Sequence, residues 1–382
     1  MRIVIDYRPA LRARSGVGES VHQTARALAL GYPDDELTLF TSSWKDRPDP
    51  VTIDALRGAR VSDHRLPVGM LNFIWHRFEW PPIELLTGGE YDVAFSPHPL
   101  LLPARRAAQV VMVHDLDFLR HPERTQREIR RDYPRLAGPH ARRAHRVIVP
   151  SRHTAADVID RLGVPSRRVV VCPHGAPEWR DPVPLRLAAD GYVLFMGTLE
   201  PRKNVGGLLD AYGRLLARRG HLPNLVLAGS AGPEARPWLD AIAAPPLAGH
   251  VEHIGYVGED ERQRVYLGAR VLVLPSHEEG FGMPALEAMS LGIPVIASNR
   301  GALPEVLGET GILVAPDDTE SIVAALDRLL TDDELARAMG RRGFERAQQF
   351  RWSRTAQAVR DAFSQAIDER AAESTNERDA VS

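Results

Sequence analysis

Two glutamates eight positions apart, Glu279 and Glu287, are the side chains of this sequence best suited to chemistry. Both belong to the stretch HEEGFGMPALE, in which a glycine-bearing loop leads into a short helix that Pro284 opens. A tight fold of this loop would turn several backbone N–H groups outward, beside the positive end of the helix dipole. The loop residues concerned are Gly280, Phe281, Gly282 and Met283. The pattern predicts an anion-binding loop between two carboxylates, and the simpler alternative is a capped helix with surface glutamates.

A pair of cations, Arg202 and Lys203, follows an apolar run at 192–196. The pair lies in the segment GTLEPRKN, ahead of a predicted helix at 204–218, and Lys203 comes six residues after Gly197. Cations at a strand-to-helix junction either bind an anionic ligand or form a solvated surface pair. For an isolated Arg-Lys pair the solvated surface pair is the default interpretation.

The first half of the chain carries two weaker candidates. Gly16 and Gly18 stand between an apolar run at 2–6 and a predicted helix at 17–30, which is the phosphate-binding arrangement of doubly wound folds without its third glycine. His114 and Asp115 follow a run at 110–113. An isolated His-Asp pair is more often structural than catalytic.

All of these candidates follow apolar runs that alternate with helical stretches. Such alternation predicts the α/β class, with doubly wound parallel sheets covered by helices on both faces. Open sheets of this kind bind ligands outside the carboxyl ends of their strands, where each candidate lies. The other predicted strands are at 37–41, 93–96, 147–150, 169–172, 225–228, 251–256, 271–275 and 294–298.

Composition narrows the class of protein. The 382 residues are enough for two domains, and 44% hydrophobic with 26% charged residues is typical of a soluble globular protein. A formal charge of −2 gives no overall attraction for nucleic acid, and the single cysteine, Cys172, excludes an internal disulfide and a cysteine-based zinc cluster. The beginning of the chain, MRIVIDYRPAL, lacks the features of a signal peptide, so we expect a cytoplasmic location.

The E-x7-E spacing of Glu279 and Glu287, together with GTLEPRKN, resembles the signature of family 4 (group 1) retaining glycosyltransferases that use nucleotide sugars, including mannosyltransferases. These enzymes have the GT-B fold, in which two Rossmann-like domains face each other across a cleft. The resemblance covers about residues 2–365. One departure is Thr198, where many relatives carry an arginine, and Arg202 is expected to supply that charge.

The resemblance implies a role for each candidate. Lys203, Arg202 and the N–H groups of 280–283 would neutralise a leaving diphosphate, Glu279 would orient the transferred sugar, and Glu287 would bind the ribose. In the acceptor-side domain, His114 would contact the sugar from the opposite wall, with Asp115 as loop support. Further donor contacts are implied for Gly229, for Tyr256 and Val257 at the base, and for Gly16 and Gly18.

The implied reaction moves a hexose, with mannose favoured, from a nucleotide diphosphate sugar to a hydroxyl of a saccharide or lipid-linked acceptor, without a metal or cofactor. A nucleotide-sugar 2-epimerase and a non-catalytic sugar-nucleotide-binding module stay open as alternatives. The expected domains are 1–175 on the acceptor side, a proline-rich linker at 176–190, 191–351 on the donor side, and a helix at 352–368 that crosses back. The charged composition of residues 369–382 predicts a disordered tail.

Two stretches of the first half leave alternatives open. Residues 120–152 hold ten arginines against three acidic residues, which is either a solvated helical face or a surface for an anionic membrane or lipid diphosphate. Residues 71–86 hold Phe73, Trp75, Phe78 and Trp80, an aromatic stripe that suits packing in a core or between domains, or contact with an acceptor.

Overall fold

The computed structural model describes residues 1–11, 16–49, 53–54, 56, 58–124, 127–179, 188 and 190–379. The chain forms two compact units: the first is Met1–Gly175 with Arg351–Ser382, and the second is Ala176–Phe350. Most of the linker predicted at 176–190 lies outside the described residues.

The first unit is built on a parallel sheet with the strand order β3-β2-β1-β4-β5-β6-β7. Its strands are β1 (Arg2–Asp6), β2 (Glu36–Ser42), β3 (Arg60–His64), β4 (Val93–Ser96), β5 (Ala108–Met112), β6 (Arg146–Val149) and β7 (Val169–Val171). Its helices are α1 (Gly16–Gly31), α2 (Val68–Phe78), α3 (Ile83–Thr87), α4 (Asp117–Arg120), α5 (Arg127–Arg143) and α6 (Arg152–Leu162), with α14 (Trp352–Asp379) from the end of the chain. The strand order reverses between β1 and β4, which is the place where doubly wound sheets open a crevice.

Helices cover both faces of this sheet because side chains alternate along each strand. Ile3 and Ile5 point to a core that includes residues of α1 and α14. Val4, between them, points to the other face, where it joins a cluster with Leu71 and Trp75 of α2.

The second unit has a parallel sheet with the order β10-β9-β8-β11-β12-β13. Its strands are β8 (Tyr192–Met196), β9 (Leu225–Ala228), β10 (Val251–Gly255), β11 (Ala269–Leu274), β12 (Val295–Ser298) and β13 (Ile312–Val314). Its helices are α7 (Val205–Arg219), α8 (Arg236–Ile242), α9 (Glu259–Leu267), α10 (Met283–Ser290), α11 (Leu303–Leu307), α12 (Thr319–Thr331) and α13 (Asp333–Ala347). The prediction of an α/β protein with doubly wound parallel sheets is confirmed.

The disordered tail predicted at 369–382 is wrong for the described part of that segment, because α14 continues to Asp379. Ion pairs stabilise the extension: Glu369 contacts Arg146 and accepts a hydrogen bond from Arg168 Nε at 2.8 Å, and Glu373 lies 3.3 Å from Arg168. Composition alone could not reveal these pairs, because both arginines lie some 200 residues earlier in the chain. Residues 380–382 lie outside the described part.

Within the described residues, no helix has the length and apolar character needed to cross a membrane.

Candidate active site

Glu279 is a buried carboxylate that two cations hold in its ionised form. Its side chain is 8% exposed, and its Oε1 accepts hydrogen bonds from Lys203 Nζ at 2.6 Å and from Ser276 Oγ at 2.8 Å. Arg202 Nη1 lies 3.6 Å from Oε2. Burial opposes ionisation, but the charges of Lys203 and Arg202 outweigh it and lower the pKa of Glu279 below its usual value. The loop after β11 therefore carries a fixed negative charge.

The two cations come from a 3₁₀ turn, Pro201–Lys203, that joins β8 to α7. Asn204 ends the turn in the left-handed region, and its side chain caps α7 by accepting a hydrogen bond from the N–H of Gly207. The stem of Lys203 passes over Gly197, since a Cβ on that glycine would lie 3.8 Å from the lysine Cε. The ammonium group is thereby brought to the carboxyl end of β8.

Arg202 is held more tightly than the sequence suggested. Its guanidinium donates to Glu200 Oε1 at 2.9 Å and to the backbone oxygen of Glu278 at 3.1 Å, in addition to its contact with Glu279. The structure thus brings Arg202 and Lys203 together on one carboxylate. That Arg202 replaces the arginine missing at Thr198 stays a prediction.

The backbone of Glu279 is fixed by the loop after β12. The N–H of Ala302 donates a hydrogen bond to the backbone oxygen of Glu279 at 2.9 Å. Gly301 has a φ of +64°, and a Cβ there would lie 2.6 Å from the same oxygen. Only glycine fits this position, which allows two loops to close on each other.

The loop residues between the two glutamates differ in backbone conformation and in packing. Gly282 takes a φ of +98° and caps α10, which begins at Met283, one residue before Pro284. Phe281 is buried, and its ring packs edge-on against Phe350 at 6.0 Å between centroids. Its side chain belongs to the core, so a donor contact of Phe281 would come from its backbone N–H. Gly280 is buried as well.

Glu287 is the second buried carboxylate, on the inner face of α10. Tyr266 donates a hydrogen bond to its Oε2 at 2.6 Å, and Arg262 Nη1 lies 3.4 Å from its Oε1. Burial, followed by the charge of Glu287, raises the pKa of Tyr266 well above its usual value, so the phenol keeps its proton and donates. Helix α9 supplies both partners.

Gly229 follows β9 directly, and its backbone lies against that of Gly197, which follows β8. It has a φ of +146°, and a Cβ there would come within 1.9 Å of the Gly197 oxygen. The glycine is therefore required for contact between two backbones, whatever it contributes to ligand binding. Tyr256 and Val257 follow β10, with Tyr256 exposed and Val257 buried.

His114 belongs to the first unit, after β5. Its Nε2 lies 3.2 Å from the Pro97 oxygen, and because a carbonyl can only accept, this nitrogen carries the proton and leaves Nδ1 as an acceptor. Desolvation lowers the pKa of His114, so the ring is neutral at pH 7. Its ring also packs on that of His174, and burial lowers the pKa of His174 to about 3. Asp115 accepts a hydrogen bond from the N–H of Asp117, as loop support requires.

Gly16 and Gly18 stand at the start of α1. Gly18 allows that helix to pack closely on the preceding turn, since a Cβ there would lie 2.7 Å from the Pro9 oxygen. The loop before them, 12–15, lies outside the described residues. What these glycines and His114 contact in a bound ligand stays a prediction from the resemblance.

Sequence analysis did not identify four residues that support the candidates: Ser276, Arg262, Tyr266 and His174. Ser276 could have been found, because it lies two positions after the end of β11 and precedes Glu279 by three positions. Arg262 and Tyr266 lie in a polar helix whose sequence, EDERQRVYL, gives no indication of a buried face. His174 lies in a segment that the sequence predicts only as the approach to a linker.

Comparisons with known proteins agree with this architecture. The family model described as glycosyl transferases group 1 matches residues 180–346, and the model for glycosyltransferase family 4 matches residues 14–179. The O-antigen chain mannosyltransferase B of Escherichia coli is 29% identical over 372 residues, which cover 92% of this chain and 96% of the relative.

Among solved structures, sucrose-phosphate synthase from Thermosynechococcus elongatus superposes with a TM-score of 0.75 at 22% identity, covering 96% of this chain and 99% of that one. HepE of Anabaena in complex with UDP-glucose gives a TM-score of 0.68 at 17% identity, with 95% and 99% coverage. At these identities the two structures show the fold alone, which is GT-B.

Proposed function

This chain belongs to the group 1 glycosyl transferases of family 4, and on that premise we propose that it transfers a hexosyl group, with mannose favoured, from a nucleotide diphosphate sugar to an acceptor hydroxyl with retention at the anomeric carbon. The observation that carries the proposal is the buried ion pair between Lys203 and Glu279 at the carboxyl ends of β8 and β11. This pair places a cation that can stabilise the leaving group next to an anion that can stabilise positive charge on the sugar.

Lys203 is suited to stabilise the leaving diphosphate. An ammonium group has three donors. Among the described residues, one of them is engaged by Glu279. The other two can meet phosphate oxygens as negative charge develops on them, which is electrostatic stabilisation of the transition state. Arg202 adds a second positive charge on the same carboxylate. No metal is required in this scheme.

Glu279 is suited to the sugar because it stays ionised where water has little access. Its negative charge favours the positive charge that builds on the anomeric carbon. In the proposed step the bond from that carbon to the diphosphate oxygen breaks, and a bond to the acceptor oxygen forms on the same face. The hydroxyl proton moves to the leaving phosphate.

Glu287 is suited to bind the ribose diol. An ionised carboxylate offers about four lone pairs. Tyr266 and Arg262 hold the side chain of Glu287 in place from the protein side. In the proposed complex its oxygens accept hydrogen bonds from the ribose hydroxyls, so Glu287 would contribute to donor affinity rather than to bond breaking.

The mannosyl donor and a saccharide or lipid-linked acceptor, in polysaccharide or glycolipid assembly, are supported by the similarity to an O-antigen mannosyltransferase along nearly the whole chain. The cytoplasmic location expected from the sequence agrees with a nucleotide-sugar donor and stays a prediction.

The proposal is tested by thermal shift with GDP-mannose, UDP-glucose and the free diphosphates. A donor present at about 100 times its dissociation constant adds about 2.7 kcal/mol to the free energy of unfolding, so the correct donor should give the largest shift in melting temperature. Incubation with the donor alone, followed by product analysis, separates transfer from 2-epimerisation. Stabilisation without turnover on any saccharide acceptor would indicate a binding module, and no stabilisation by any nucleotide sugar would contradict the proposal.

A further inference from the structure

Trp179 lies in the segment that the sequence predicts as a linker, yet its side chain is partly buried against the core of the second unit. It is the fourth residue of that unit, which begins at Ala176. The described residues that lead up to it, 172–178, form neither helix nor strand. Because no regular element fixes the position of Trp179, its contacts must do so.

The first contact of Trp179 leads to the backbone of Glu287. The indole Nε1 donates a hydrogen bond to Ser290 Oγ at 2.8 Å, and the Ser290 hydroxyl donates in turn to the backbone oxygen of Glu287 at 2.7 Å. Ser290 is 5% exposed, so water has little access to replace the indole N–H as its partner. This chain of donors and acceptors holds the last turn of α10, in which Glu287 lies.

The second contact of Trp179 leads to the carboxylate of Glu287. The Trp179 ring packs on the ring of Tyr266, with 6.1 Å between the centroids and 60° between the planes. Tyr266 is the residue that donates to Glu287 Oε2 at 2.6 Å. Aromatic pairs at this separation attract each other beyond the effect of their buried area. Trp179 therefore contacts one residue that holds the backbone of Glu287 and another that holds its side chain.

The segment that carries Trp179 is also held at its other end. The N–H of Ala176 donates a hydrogen bond to the backbone oxygen of Phe350 at 2.9 Å. Phe350 is itself packed against Phe281 in the loop before α10. With Ala176 fixed at one end and Trp179 at the other, the indole keeps its place beside α10 and α9 although no hydrogen-bonded element carries it.

We infer that Trp179 is a positioning residue for Glu287: through Ser290 and Tyr266 it fixes the carboxylate in the orientation that accepts the ribose hydroxyls of the donor. The inference rests on the proposed function, in which Glu287 binds the ribose. A carboxylate that is already ordered loses little rotamer freedom when the nucleotide binds. Ordering one rotamer-rich side chain on binding costs about two- to tenfold in affinity, which sets the size of the expected effect.

The experiment measures how strongly the protein distinguishes ribose from deoxyribose. Isothermal titration of the full chain with GDP, UDP and their 2′-deoxy and 3′-deoxy forms gives the ratio of the deoxynucleotide to the ribonucleotide dissociation constant. A hydrogen bond to a charged group corresponds to about a ten- to hundredfold difference in this constant, so the wild type should prefer the ribonucleotide by at least about tenfold. A merely structural defect weakens the apparent affinity for both nucleotides by the same factor and leaves the ratio unchanged.

Two replacements of Trp179 separate its two contacts. Trp179→Ala removes both and should lower the ratio by about two- to tenfold. Trp179→Phe keeps a ring against Tyr266 and loses the N–H donor, so its decrease should be smaller and the variant should stay close to wild type in stability. Because Trp179 and Ser290 lie on one hydrogen-bonded chain, Trp179→Phe with Ser290→Ala should lower the ratio no further than Ser290→Ala alone.

Trp238 is the matched control. It is likewise partly buried against the core of the second unit, but on α8, where it packs on α7: a Cβ on Gly206 would lie 3.1 Å from its Nε1. Trp238→Ala and Trp238→Phe should keep the wild-type ratio.

Initial rates give a second readout, in which the Trp179 variants should raise the donor KM and leave kcat close to wild type. In a Glu287→Ala background, Trp179→Ala should not lower the ratio further. A wild-type ratio in Trp179→Ala, with the ratio lost in Glu287→Ala, would overturn the inference and leave the proposed function standing; so would an equal decrease in Trp238→Ala. A wild-type protein that binds ribose and deoxyribose forms equally would instead contradict the proposed role of Glu287, and the inference with it.

Discussion

Replacing Lys203 by methionine removes the cation that stabilises Glu279 while keeping a side chain of similar length. Removing one partner of a buried ion pair typically costs 3–5 kcal/mol. Arg202 at 3.6 Å and the hydrogen bond from Ser276 stay in place, so we expect the lower end, about 3 kcal/mol. At roughly 2–4 °C per kcal/mol for a unit of this size, the melting temperature at pH 7 should fall by about 6–12 °C.

The loss of stability should depend on pH in a definite direction. In the wild type the pKa of Glu279 is lowered, so its contribution is present above its unfolded value of about 4.3 and disappears as pH falls through the folded value. In Lys203→Met the Glu279 carboxylate stays buried but loses the cation that mainly offsets its desolvation, so the pKa of Glu279 rises. The difference in the free energy of unfolding between the two proteins should be greatest near neutral pH and should disappear only as pH falls through the lowered pKa of Glu279 in the folded wild type.

Turnover separates the structural role of Lys203 from its catalytic role. Loss of one preorganised charge-stabilising donor lowers kcat by a factor of about 100–1,000. In the double variant Lys203→Met with Glu279→Gln, no buried charge is left unpaired, so most of the stability should return while turnover stays low. The assays are thermal melts from about pH 2.5 to about pH 8 and initial rates at saturating donor. A single variant with a kcat within about threefold of wild type would refute the assignment of Lys203 to the leaving group.

Three further predictions test the rest of the site. Gly301→Ala should lower turnover as well as stability, because the added Cβ would displace the backbone of Glu279. The matched control is Gly220→Ala, at a φ of +74° with nothing within 4 Å of the added Cβ. It should cost only about 1 kcal/mol of stability in a thermal melt. Glu279→Gln should chiefly lower kcat and Glu287→Gln should chiefly raise the donor KM, and equal effects of both variants on both parameters would contradict the division of roles. Activity should survive EDTA, since cations of the chain face the diphosphate in the proposed step; loss with EDTA and recovery with magnesium or manganese would show that a metal is required.

The sequence predicted the elements that are buried on both faces best. The bounds of β1, β4, β8 and β9 agree with the predicted strands residue for residue, because strands in the middle of a parallel sheet are continuous apolar runs. Strand β3 was missed, since it lies at the edge of its sheet and its sequence, RVSDH, has one large apolar residue. Edge strands of this kind are specified by pairing with a neighbour, which a local pattern does not contain.

The sequence indicated the charged residues of the candidate site better than the residues that surround them. Motif spacing indicated Glu279, Glu287 and Lys203 as candidates, and their roles stay predictions. It could not show that Phe281 turns its ring into the core or that Tyr266, from another helix, holds Glu287. The aromatic stripe shows the same limit. Trp75 is buried as core packing requires, yet Phe73, Phe78 and Trp80 are exposed, and periodicity alone cannot say which side of an entirely apolar helix meets solvent.

In the proposed function, the pairing of Lys203 with Glu279 explains how one site would hold a carboxylate beside a diphosphate. An unpaired glutamate in this position would repel the donor and would be costly to bury in ionised form. Lys203 compensates both effects before the donor arrives. In the proposed reaction its free donors then engage the phosphate oxygens as their charge grows, so that less of the lysine charge screens Glu279. The negative field at the anomeric carbon rises at the moment when positive charge builds there. The two residues are therefore expected to act as a unit, and the loss of turnover in the double variant should be much smaller than the product of the losses in Lys203→Met and Glu279→Gln.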